Sequence, residues 1–200
     1  KSTALGTGST ASAENSTAAG YSSVASFFDS TAIGASSSAT QTSTTAMGAN
    51  STASGQSSTA IGTSSTASGT NSTATGASSA ATGTQSAAMG IASQATGFDA
   101  SAFGAYSKAT GFFTTAIGGY SEASGSNSTA TGTYASATGT RSIAIGSDGS
   151  DSGFIGAMAS ETDTIAIGND ALADFTSAIA LGGRAQASAA NAVALGTGSI

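Results

Sequence analysis

The chain has 200 residues, a net charge of −6 and only four lysines and arginines, so it lacks the basic stripe that nucleic acid requires. It contains no histidine and no cysteine, which removes the usual general base, the thiol nucleophile, disulfides and most transition-metal sites, and leaves the expectation of no catalytic residues, no metal and no cofactor. Leu, Ile, Val and Phe supply only 25 of the 200 residues, a level that suggests disorder, yet only 7% of residues are charged and disorder needs high charge as well.

The repeat settles the matter. Alanine recurs at every seventh residue from Ala4, Ala11, Ala18 and Ala25 to Ala144. Glycine follows two residues later, in every second unit from Gly6 through Gly20 and Gly34 to Gly146, and in every unit between positions 48 and 146. A linker has no reason to keep such a period, whereas a stack of near-identical coils does. One unit reads Ser58-Thr59-Ala60-Ile61-Gly62. Side chains alternate along a strand, so Ser, Ala and Gly share one face and the two remaining positions share the other. A heptad coiled coil is disfavoured, because alanine plus glycine with Ser and Thr filling the rest is a poor helix.

The residue before glycine has twice the alanine period. In one set of units it is Leu5, Ile33, Met47, Ile61, Met89, Phe103, Ile117 and Ile145, with Ala19, Thr75 and Thr131 as exceptions. In the alternating set it is Ser or Thr, from Ser12 and Ser26 to Thr138. The pattern predicts a flattened all-β solenoid whose coils each take two units, with two strands per coil, two parallel sheets and an interior of alanine. One sheet turns aliphatics outward and the other hydroxyls. Strand-end glycine suits a turn needing positive φ, and the absence of proline suits strands bonded on both sides. At about 4.8 Å per coil the stack would be a rod of ~65–70 Å.

Near residues 147–152 the period breaks. The step from Gly146 to Gly168 is one residue longer than three units, and alanine resumes in a new phase at Ala159, Ala166, Ala173, Ala180, Ala187 and Ala194. Beyond it the aliphatic positions strengthen, as in Ile165-Ala166-Ile167-Gly168 and Ile179-Ala180-Leu181-Gly182. The expectation is one domain over 1–200 with a loop or dislocation at about 147–158.

An alanine methyl buries too little apolar surface to offset the entropy of ordering its strand. The outward aliphatics are worth roughly 1.5–3 kcal/mol each if covered. Identical chains around an axis are the simplest cover, in threes by preference, with two also open. The expected interface is Leu5, Ile33, Met47, Ile61, Met89, Phe103, Ile117, Ile145, Ile167, Leu181 and Leu195.

The units Ser30-Thr31-Ala32-Ile33-Gly34, Ser142-Ile143-Ala144-Ile145-Gly146 and Asn191-Ala192-Val193-Ala194-Leu195-Gly196 resemble the head repeats of YadA-like trimeric autotransporter adhesins. The resemblance covers essentially the whole chain. It implies a left-handed parallel β-roll, a homotrimer, and display on the surface of a Gram-negative bacterium. It also implies attachment to host cells, extracellular-matrix proteins or like molecules. The segment 191–200 resembles the entry to a neck, so the neck, stalk and outer-membrane anchor would lie outside this chain, and membrane contact would come only through that anchor. Thr31, Thr45, Thr59 and Thr73 stand where such repeats prefer valine, which thins the apolar ladder.

Tyr106, Tyr120 and Tyr134 recur one coil apart and should stack at one turn, with Phe98, Phe112 and Phe113 at the opposite turn. These aromatics are the candidate ligand contacts, although mutual stacking is the preferred reading. Asp148 and Asp151 could offer oxygens to calcium, but their spacing matches no EF-hand loop and the reading is a solvated loop. The sequons at Asn15, Asn50, Asn71 and Asn127 fall at repeat turns and follow from the repeat. The expected function is an adhesive head acting through many weak contacts. The alternatives are an ice- or surface-binding solenoid and a passive spacer.

Overall fold

Each seven-residue unit becomes one short strand and one tight turn in the computed structural model, which describes residues 1–149 and 155–200. Among the described residues there is no helix. The chain divides into two compact units, Lys1–Asp99 and Ala100–Ile200, each an all-β parallel solenoid.

In the first unit, three-residue strands run from Thr3–Leu5 to Ala87–Met89 and two-residue strands from Thr10–Ala11 to Gln94–Ala95. The two kinds alternate along the chain and form separate parallel sheets. The pairing step is one coil: Thr31, Ala32 and Ile33 lie beside Thr45, Ala46 and Met47, and Ser38 and Ala39 lie beside Thr52 and Ala53. In the second unit the three-residue strands run from Ser101–Phe103 to Val193–Leu195, and the two-residue strands from Lys108–Ala109 to Gln186–Ala187.

The period break does not interrupt pairing. Ile143–Ile145 pairs directly with Ile165–Ile167, and Ser136–Ala137 with Met158–Ala159. Both sheets take the same lengthened step, so the break is a single enlarged coil rather than three further units and one extra residue. Residues 150–154, and with them Asp151 and much of the expected loop, lie outside the described residues.

Alternation puts alanine inside. Ala32, Ala60, Ala116, Ala144 and Ala166 have no exposed surface. Serine joins them, and among the described residues the bulkiest fully buried side chains are Thr44, Thr114 and Thr164. Such small residues let the two sheets close on each other. Many of the buried hydroxyls donate to the turn carbonyl three residues back: Ser37 to Gly34 at 2.9 Å, Ser65 to Gly62 at 2.9 Å and Ser79 to Gly76 at 2.8 Å. Turn amides bond to the neighbouring coil, as when Asn50 N–H donates to Ala35 O at 2.8 Å.

The glycines have two reasons to be glycine. Gly34, which ends a three-residue strand, has φ of 132°, as expected from its place. Gly69, after a two-residue strand, has no positive φ; a Cβ there would sit 1.9 Å from the carbonyl oxygen of Gly83 in the next coil. Close approach, not turn geometry, fixes that second set. The left-handed turn position is occupied instead by residues with side chains, such as Ser36 at 55° and Asn50 at 58°.

Candidate functional site

The third residue of each three-residue strand points away from the alanine core. In the first unit this places Leu5, Ile33, Met47, Ile61 and Met89 on the outside, with exposures from 39% for Met47 and Ile61 to 62% for Leu5. Pairing aligns Ile33 with Met47 and Met47 with Ile61. Ala19 and Thr75 interrupt the column where the sequence lacks an aliphatic.

The second unit holds Ile117, Ile145, Ile167 and Leu195 exposed on the same type of strand, with Phe103 and Leu181 half-buried. From Ile145 the column is unbroken through Ile167 and Leu181 to Leu195. A second column runs beside it: Ile143, Ile165, Ile179 and Val193, the first residues of the same strands. Those four complete an apolar face two side chains wide and are absent from the expected interface. Their signal was the Ile-Ala-Ile and Val-Ala-Leu spelling, in which both outward positions are aliphatic. In the first unit the equivalent column is Thr17, Thr31, Thr45, Thr59 and Thr73.

The tyrosines stack as their spacing predicts. Tyr106 and Tyr120 have ring centroids 4.9 Å apart and planes 9° from parallel; Tyr120 and Tyr134 are 5.0 Å apart at 10°. All three occupy the left-handed turn position after a three-residue strand. Phe112 and Phe113 lie at the turn after a two-residue strand of the same unit and are exposed. Phe98 occupies that kind of turn in the first unit.

Charge gathers around the enlarged coil. Arg141 donates from Nε to Asp163 Oδ1 and from Nη2 to Oδ2, both at 2.6 Å. The guanidinium hydrogen bonds hold the Asp163 carboxyl below its usual range and push Arg141 up. Asp170 accepts from Gly149 N–H at 2.9 Å and lies 3.7 Å from Arg184 Nε. These residues, with Asn169, Gly183 and Thr197, line a shallow cavity of about 280 Å³. Among the described residues no three His, Cys, Asp or Glu side chains gather where a metal could sit. Asp148 is described, but its proposed calcium partner Asp151 is not.

The model of the YadA head domain repeat matches residues 1–23, 28–51, 53–79, 81–107, 95–121, 109–135, 123–148, 159–185 and 176–199. Among solved structures, the collagen-binding domain of the Yersinia adhesin YadA is similar. It is 29% identical, the match covers 73% of this chain and 69% of that one, and the TM-score is 0.50. No curated protein sequence matches the chain.

Proposed function

This chain belongs to the YadA head-domain family of trimeric autotransporter adhesins, and from that premise we propose that it is the adhesive head of a surface fibre on a Gram-negative bacterium. Three copies pack their aliphatic sheets together, and the outward turns and hydroxyl sheet meet an extracellular-matrix protein or a host-cell receptor. Collagen is the first candidate, because the similar Yersinia domain is a collagen-binding one. The carrying observation is the aliphatic face, a column of exposed side chains repeated coil after coil on a solenoid whose interior is filled by alanine. Weak contacts repeated coil after coil and chain after chain gain strength by avidity. The role is one of binding and not of catalysis: the chain has no histidine or cysteine to activate a serine, and buried serines such as Ser37 and Ser65 donate their hydroxyl protons to turn carbonyls.

The test pairs light scattering with solid-phase binding to collagen, fibronectin, laminin and epithelial cells. The expected result is three chain masses and saturable binding to at least one surface. A trimer inert to all of them and to itself would remove the adhesive role.

A second reading, recognition of a regular surface such as ice, rests on the outward hydroxyl pairs Ser38/Thr40, Thr52/Ser54 and Thr66/Ser68 in successive coils. Ala80 breaks the pattern in the next coil. A thermal-hysteresis measurement showing no activity removes it.

A further inference from the structure

We infer that Tyr106, Tyr120 and Tyr134 form an oxidative cross-linking site, at which a one-electron oxidant couples neighbouring phenols of one chain into dityrosine. The rings are parallel, with centroids 4.9 and 5.0 Å apart. Tyr106 and Tyr120 are 46% and 49% exposed, so an oxidant reaches them. Their spacing is set by the backbone, since Tyr120 N–H donates to Ala105 O at 2.9 Å and Tyr134 N–H to Gly119 O at 3.0 Å. The coupling partners are therefore held in place before any radical forms, which turns an encounter between two molecules into a step within one.

The chemistry closes with hydrogen peroxide as the terminal oxidant, delivered by a haem peroxidase. Each phenol loses one electron and its O–H proton, giving two phenoxyl radicals, while peroxide takes two electrons and two protons to become two waters. Rotation of one ring about its Cβ–Cγ bond brings a carbon ortho to one oxygen onto its counterpart, and a C–C bond forms. Each coupled carbon then loses its proton, and each oxygen regains one. The product has two hydrogens fewer than the starting pair and closes a covalent loop across one coil. It is a staple in a chain that has no cysteine with which to make a disulfide.

The fourth tyrosine is a built-in control. Tyr21 is 65% exposed, but the positions one coil before and after it are Thr7 and Ala35.

The experiment treats the dilute, folded chain with a haem peroxidase and hydrogen peroxide, then reads dityrosine fluorescence and peptide masses. The expected product joins Tyr120 to Tyr106 or to Tyr134, on a chain that still migrates alone in a denaturing gel. Tyr21→Phe keeps the full signal. Tyr120→Phe loses it, because the two remaining phenols are two coils apart. The oxidised chain melts at a higher temperature than the untreated one, and oxidised Tyr120→Phe does not. If circular dichroism shows Tyr120→Phe unfolded, the Tyr106→Phe/Tyr134→Phe double variant asks the same question. Dityrosine that persists in either variant, that joins separate chains, or that fails to form in the wild type overturns the proposal.

Discussion

At the left-handed turn position the chain tolerates Asn, Asp, Ser, Gln, Ala, Tyr, Phe and Arg, but among the described residues never Thr, Val or Ile. Threonine nevertheless fills the adjoining position at Thr63, Thr70 and Thr84. A branched Cβ crowds the following carbonyl at positive φ, and the other side chains crowd it less. Ser64 sits there with φ of 58°, exposed, its amide bonded to Ala49 O at 2.9 Å. Ser64→Val is therefore expected to lower stability by about 1–2 kcal/mol, whereas Ser64→Asn leaves it unchanged or raises it. Urea midpoints of the two variants check this, and equal midpoints would show that the turn relaxes. The exclusion of threonine from this position is legible in the sequence. Glycine identity alone cannot distinguish Gly34, which needs its φ as well as room for the next coil, from Gly69, which needs only the room.

At the scale of strand and turn, the alternation of alanine with outward residues was enough to place both sheets, because a period of two leaves only one face for the small side chains. The enlarged coil was less legible: its length looks like three units and a spare, and only pairing shows that Ile143–Ile145 meets Ile165–Ile167 directly. The same coil brings Arg141 against Asp163, a contact the sequence hides because the partners are not one regular coil apart. Since Asp163 has its folded pKa lowered, the pair's contribution is present above the unfolded carboxylate's pKa of about 3.9 and is lost as pH falls through the folded value. Both side chains are exposed, so the effect is small and screened by salt. Asp163→Asn should lower the urea midpoint slightly at neutral pH and low ionic strength. The gap from wild type should close in acid or in high salt. A gap that is unchanged at low pH would mean the carboxylate's charge is not what the pair uses.

For the molecule as a whole, the magnitudes explain why the ladder must be long. Ile145 and Ile167 are 39% and 38% exposed in the single chain, so most of their burial is already achieved by folding. Covering the remainder yields about 0.6–1.2 kcal/mol each, taking roughly 1.5–3 kcal/mol for full burial. Association costs about 4–15 kcal/mol in lost freedom. A few rungs cannot hold chains together, and many can. The doubled columns Ile143/Ile145, Ile165/Ile167, Ile179/Leu181 and Val193/Leu195 then carry more of the assembly than the Thr-lined first unit. Placing two carboxylates in the middle of that face loses two rungs and also asks for two charges to be buried without partners. Ile145→Asp/Ile167→Asp should reduce the scattering mass from three chains to one at micromolar concentration. Thr45→Asp/Thr59→Asp, made in the narrower unit, should do so only on further dilution. If the first double variant stays at three chain masses, the aliphatic columns are not what the chains share. If the two variants dissociate alike, the second column adds nothing to the assembly.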